Sequence, residues 1–136
     1  MADISNSVTE FHQLINKGSN VPYGLCKSIV VGSLKNISNL ITQITTLKHP
    51  LRIVNKGRER CQLMTAKGVL VAEIACLIDV LRYIDEFLKR NKVSENKKEV
   101  LILQEQLVKI FRDYGEYDFK DFKISCNNAY SIINAS

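Results

Sequence analysis

The side chains that could carry out nucleophilic catalysis are few and widely spaced in this sequence. Such catalysis needs a base beside the nucleophile, and the chain of 136 residues has only two histidines, His12 and His49. His12 follows Phe11 on a short helical stretch, and His49 precedes Pro50 at a helix break. Neither histidine has an identifiable third group to orient it, so we interpret both as structural or solvated.

Metal ligands are equally sparse. Zinc sites take cysteine and histidine in close pairs, and no two of the four cysteines are spaced as Cys-x-x-Cys. Di-iron bundles use Glu-x-x-His motifs, which this sequence lacks, and Glu73 alone makes no metal site. The sequence therefore predicts a protein that is not an enzyme and has no cofactor or metal. We expect the cysteines to be buried, reduced thiols, at positions Cys26, Cys61, Cys76 and Cys126.

Basic side chains form two segments that flank one long predicted helix. The first contains Lys48, Arg52, Lys56, Arg58 and Arg60, and the second contains Lys89, Arg90, Lys92, Lys97 and Lys98. The net charge of +5 is a mild excess, compatible with anionic partners but not diagnostic of them. Two solvated helix ends are the simpler interpretation. Contact with anionic lipid or nucleic acid through these ten residues is the alternative.

The long helix between the basic segments is predicted over 58–90. A spacing of seven residues places an apolar seam on one side of it, at Leu63, Leu70, Leu77 and Ile84, with Ile74, Leu81 and Leu88 in the interleaved register. Further apolar residues cover most of its circumference, so we expect it to be the central helix, surrounded by others. Glu73 and Asp79 interrupt the apolar run before it reaches the length of a membrane span.

Four more helices are predicted from apolar spacing and turn residues. The five predicted ranges are 7–17, 22–47, 58–90, 94–114 and 118–134. Ser5, Asn6 or Ser7 is expected to cap the first helix, and Asp118 the last. Gly32 is small enough for a neighbouring segment to approach the second helix closely.

The connections between these helices are short, which predicts antiparallel neighbours. We therefore predict an all-α fold, a single domain over residues 1–136. Its form is an up-down antiparallel four-helix bundle with a short extra N-terminal helix. The alternative is an α+β fold with a hairpin around 51–72, in which 51–54 and 62–66 are strands and Asn55-Lys56-Gly57 makes one turn.

Function is predicted from the excess of apolar residues. The stripe of the fourth helix is widened by Leu101, Val108 and Ile110, which leaves apolar surface for a partner. We predict a non-catalytic helical-bundle protein-interaction module that self-associates or binds another helical protein. The first 20 residues lack the features of a signal peptide, which predicts a cytoplasmic protein.

In number and length, the helices resemble the N-terminal bundles of membrane-permeabilising cell-death proteins and of plant immune receptors. This is a likeness of shape, from which no residue roles are carried over. It implies the alternative function of a bundle acting at anionic membranes, beside that of a basic nucleic-acid-binding protein. No small-molecule substrate is inferred.

Overall fold

The computed structural model describes residues 4–47, 56–90, 96–115 and 118–136, with the backbone alone for residues 56–65. These ranges contain five α-helices and no β-strand. The helices are α1 (Ser5–Asn16), α2 (Tyr23–Thr46), α3 (Lys56–Arg90), α4 (Lys97–Gly115) and α5 (Phe119–Ala135). Each begins and ends within three residues of its predicted range, so the all-α prediction is confirmed.

The α+β alternative is wrong for the part of the chain that the structure describes. Residues 62–66, the predicted second strand, lie inside α3, while 51–54 lie outside the described residues. α3 continues through Gly68, although glycine inside a helix costs about 1 kcal/mol. Burial of one apolar seam residue, such as Leu81, stabilises the fold by about 1.5–3 kcal/mol and outweighs that cost.

The most buried helix in the described chain is α2, so the prediction that α3 is central is wrong. α2 packs against α1, α3 and α5, whereas α3 packs against α2 and α4 and meets α1 through ring contacts. The apolar pattern missed this because small polar residues of α2 are buried as well, namely Ser33, Asn36 and Ser38. In the seam of α3, Leu81 and Ile84 are buried, but Leu70 and Leu77 are only half-buried.

Side-chain contacts join three pairs of neighbouring helices, and for α2 and α5 two of them show an antiparallel arrangement. At one end of α2, Lys27 Nζ donates to the carbonyl oxygen of Ser136, the residue after α5; at the other end, Lys123 Nζ of α5 donates to Thr42 Oγ1. α4 and α5 are joined by a 2.8 Å hydrogen bond, which Ser125 Oγ donates to Asp113 Oδ2. For α3 and α4, the guanidinium of Arg82 lies over the ring of Phe111.

The N-terminal helix lies across α2 and α3. Phe11 is buried and its ring lies 5.2 Å from that of Phe87 in α3, centre to centre. At the start of α1, the Cγ2 methyl of Ile4 sits so close to Gly32 that a Cβ at position 32 would collide with it. The predicted close approach at Gly32 is thus confirmed, and its partner is α1.

The two predicted caps have different outcomes. Asp118 caps α5 as predicted, because its Oδ1 accepts a 2.8 Å hydrogen bond from the backbone N–H of Asp121. The predicted cap of α1 is wrong, since Ser5, Asn6 and Ser7 lie inside the helix and Ile4 precedes it without a side-chain capping bond. Packing of the half-buried Ile4 against Gly32 offers a physical reason for this earlier start.

Candidate functional site

Four of the ten predicted basic residues lie at one end of the α3–α4 pair. Lys89 and Arg90 end α3, and Lys97 and Lys98 begin α4; all four are exposed. Only six residues connect Arg90 to Lys97, which keeps these four side chains towards one end of α3. Lys89 Nζ also lies 2.9 Å from the buried carboxylate of Asp85, which offsets part of the positive charge there.

The other six predicted basic residues do not join this group in the described structure. Lys56, Arg58 and Arg60 lie on the first turns of α3, where only the backbone is described. Lys48, Arg52 and Lys92 lie outside the described residues. α3 has 35 residues, so its ends are about 50 Å apart. The described parts of the two basic segments therefore lie at opposite ends of α3.

Exposed apolar side chains occupy one face of α4. Leu101 and Val108 are 65% and 55% exposed and lie two helical turns apart. Glu105 lies between them and Arg112 lies one turn beyond Val108, which completes what we call the α4 face. Ile110, grouped with Leu101 and Val108 by its sequence pattern, is buried instead. Leucine and valine are thus both exposed on one helical line of α4.

A cleft of about 210 Å³ opens where α1 crosses α2 and α3. Its lining includes Phe11 and His12 from α1 and Asp79 and Tyr83 from α3. The ring of Tyr83 lies 5.7 Å from that of Phe11 and 5.1 Å from that of His12. Sequence reasoning missed this cleft, because the apolar face of α1 does not reveal which helices it will cross.

The described cysteines are free thiols in two environments. Cys26 and Cys126 are buried as predicted, and burial raises the pKa of Cys26 to about 11 and of Cys126 to about 12. Cys76 is exposed, so the prediction that all four thiols are buried is wrong at this position. Cys61 lies on α3 where side chains are not described.

The remaining predicted candidates stay apart. Among the described residues, no group of three or more cysteine, histidine or acidic side chains is placed to hold a metal ion. Glu73 is exposed on α3. His12 lines the cleft beside Tyr83, and His49 lies outside the described residues.

None of the helices, within the described residues, has an apolar stretch of the length needed to cross a membrane. Comparisons with protein-family models, with curated proteins and with solved structures gave no match to this chain.

Proposed function

We propose that this chain is a non-catalytic helical-bundle module for protein interaction, and that it self-associates through the α4 face. The single observation that carries the proposal is the exposure of Leu101 and Val108 on one helical line. Scattered single apolar residues are ordinary on protein surfaces, but an aligned pair on a helix is the pattern by which helices recognise each other.

The proposal includes the arrangement of the helices. α2, α3, α4 and α5 form an up-down antiparallel four-helix bundle, and α1 is an extra helix across α2 and α3. Two features support this: the antiparallel contacts of α2 and α5, and the packing of α2 and of α4 against both α3 and α5, which closes the ring of four. In such a bundle, one side of α4 faces the core and the α4 face points outward.

The composition of the α4 face suits a reversible contact between like copies. Its leucine and valine supply apolar area, and burying apolar surface yields about 25 cal/mol per Å². Glu105 and Arg112 carry opposite charges beside this pair, and Glu105 is 3.6 Å from Lys109 within the helix. A surface that meets a second copy of itself around a two-fold axis needs such self-complementary chemistry.

The proposal is tested by removing the apolar side chains of the face. We expect the double variant Leu101→Ser, Val108→Ser to sediment and scatter light as a monomer, while the unmodified protein forms a defined oligomer. The matched control is Ile124→Ser on α5, because Ile124 is 53% exposed but lies on another helix. Size-exclusion chromatography with light scattering measures the mass of each variant, and circular dichroism confirms its helicity.

Each outcome of this experiment is decisive. An oligomer that survives the double variant contradicts the α4 face as the interface, and an oligomer lost in Ile124→Ser moves the interface to α5. If the unmodified protein is a monomer at high micromolar concentration, the proposal of self-association is wrong.

A second candidate function is favoured by the basic end of the α3–α4 pair. Lys89, Arg90, Lys97 and Lys98 are exposed together there, and each cation near an anionic bilayer contributes about 1 kcal/mol of binding free energy. Lipid fits better than nucleic acid, whose binding sites combine basic side chains with exposed stacking aromatics. Co-sedimentation with phosphatidylserine vesicles tests it, and absorbance at 260 nm of the purified protein would reveal bound nucleic acid instead.

The cytoplasmic location is also part of the proposal. It is supported by the free thiols of Cys26, Cys76 and Cys126, because thiols persist unpaired in reducing compartments.

A further inference from the structure

The cleft between α1, α2 and α3 is a different surface from the α4 face and has a different chemistry. We infer that it is a binding site for a small organic cation, an aromatic or aliphatic body that carries one ammonium group. Three observations lead there: the size of the cleft, its apolar floor, and the carboxylate and rings at its mouth.

The size of the cleft limits the ligand to about one ring. Its volume is about 210 Å³, while cavities of about 150 Å³ already bind benzene. Pockets for larger ligands occupy about 300–1,000 Å³. A phenyl ring or a short branched alkyl chain therefore fills this cleft, and a nucleotide or a peptide does not fit inside it.

The floor of the cleft selects an apolar body. Val8 and Val80 line it and are half-buried, and the lining also includes Ile29 and Ile84, which are buried in the core. These side chains offer no hydrogen bonds. A polar ligand group placed against them would lose its hydrogen bonds to water without replacement, so the cleft favours an apolar group. Phe11, also buried, adds an aromatic wall from α1.

The mouth of the cleft selects a positive charge. Asp79 lines it with a carboxylate whose side chain is 75% exposed, beside the rings of His12 and Tyr83. The two ring centres are 5.1 Å apart and their planes are inclined by 40°, so two aromatic rings lie together in this part of the lining. Ring faces and a carboxylate together attract an ammonium group, which is how proteins recognise alkylammonium ligands.

No cation of the described chain fills this role already. None of the described residues that line the cleft is a lysine or an arginine. Arg82 is near, but its Nη1 is 3.9 Å from Asp79 Oδ1 in an exposed pair, and such pairs contribute little. The guanidinium of Arg82 lies instead 5.8 Å from the ring centre of Phe111 on α4. The carboxylate of Asp79 therefore remains available to a ligand at the mouth.

The test compares two probes of equal shape, benzylamine, which is protonated at pH 7, and benzyl alcohol, which is neutral. Titrations are followed by the methyl NMR signals of Ile29 and Ile84 in the full-length protein. We expect both signals to shift with benzylamine, which should bind several-fold more tightly than benzyl alcohol. In Asp79→Asn we expect the affinities for benzylamine and benzyl alcohol to become equal. In the control Glu86→Gln the preference for benzylamine should persist, because Glu86 is exposed on α3 but does not line the cleft.

A cleft-filling variant gives a second, independent readout. Val80→Phe should abolish the shifts with both probes, and well-dispersed methyl signals would show that this variant is folded. If Val80→Phe does not fold, His12→Ala takes its place, because His12 is exposed. His12→Ala should weaken the binding of benzylamine. Equal affinities of the two probes for the unmodified protein, absence of shifts at millimolar benzylamine, or an equal loss of preference in Glu86→Gln would each overturn the inference.

Discussion

At the scale of single residues, Gly32 and Gly68 show how the surroundings of a glycine set the effect of its replacement. Both lie inside helices, where alanine is favoured over glycine by about 1 kcal/mol. A Cβ at position 68 meets nothing within 4 Å, whereas one at position 32 collides with Ile4. We expect Gly68→Ala to raise the free energy of unfolding by about 0.5–1 kcal/mol, as measured by urea denaturation.

The same denaturation experiment should show the opposite sign for Gly32→Ala. The colliding atom is a methyl on the branched Cβ of Ile4, which rotates with difficulty, so α1 has to shift. Overpacking of this kind costs about 1–3 kcal/mol, which exceeds the gain in helix propensity. Combining it with Ile4→Ala should recover part of the loss. A stabilising Gly32→Ala would contradict the packing of α1 onto α2.

The buried thiols should lower the free energy of unfolding as the pH becomes alkaline. Folding raises the pKa of Cys26 to about 11 and of Cys126 to about 12 from an ordinary value of 9.0, because burial disfavours the thiolate. Below pH 9 both states keep the proton. Above it, the unfolded chain loses the proton first, so stability falls as pH rises towards the folded pKa, with a slope of up to about 1.4 kcal/mol per pH unit for each thiol.

Cys126→Ala should make this alkaline decline less steep, although alanine also lowers stability at neutral pH by leaving a small cavity. The measurement is the free energy of unfolding from urea titrations between pH 8 and pH 11, compared with the unmodified protein. Cys76→Ala is the control, since Cys76 is exposed, and its slope should match that of the unmodified protein. An unchanged slope in Cys126→Ala would show that the thiol ionises equally in both states.

At the scale of helices, α5 and α1 begin in different ways. α5 begins with a side-chain cap, whereas α1 begins without one. The side chain of Asp118 accepts a hydrogen bond from Asp121 N–H, so Asp118→Ala should lower stability by about 1 kcal/mol, within the usual 0.5–2 kcal/mol for a cap. Asn6→Ala on α1 should change it by less than about 0.5 kcal/mol, as exposed substitutions do. Thermal or urea unfolding measures both, and equal losses would contradict this assignment of the caps.

Helices themselves were predictable because their signals are local. Apolar spacing and turn residues such as Gly18, whose φ of +66° ends α1, act within a few positions of the chain. The inner residues of α5 were predictable for the same reason. Five residues repeat at helical spacing, and all are buried except the half-buried Phe119: Phe119, Phe122, Cys126, Ala129 and Ile133. The cap of α1 was not predictable, since it depends on Ile4 packing against Gly32, a contact between segments.

At the scale of the whole molecule, the sequence did not distinguish which apolar residues face the core. Leu101, Val108 and Ile110 all widen the stripe of α4, yet only Ile110 is buried, because α3 and α5 cover one side of that helix. The cleft was hidden likewise, since it exists only where α1 crosses α2 and α3. Both candidate sites therefore arise from the packing of helices and not from a motif.

The proposed assembly predicts a specific response to charge. Lys97→Glu with Lys98→Glu lowers the net charge from +5 to +1, because each change replaces one positive by one negative charge. Glutamate suits the first turn of α4, where the helix dipole favours negative side chains, so the fold should be kept. We expect this variant to lose binding to phosphatidylserine vesicles but to form the same oligomer, because the α4 face is held by apolar contact.

Light scattering at about 0.05 M and about 0.5 M salt measures the mass of the oligomer, since screening weakens contacts between exposed charges and spares apolar ones. Dissociation of the unmodified protein at high salt, or of the variant at any salt, would place the interface on the basic end and not on Leu101 and Val108.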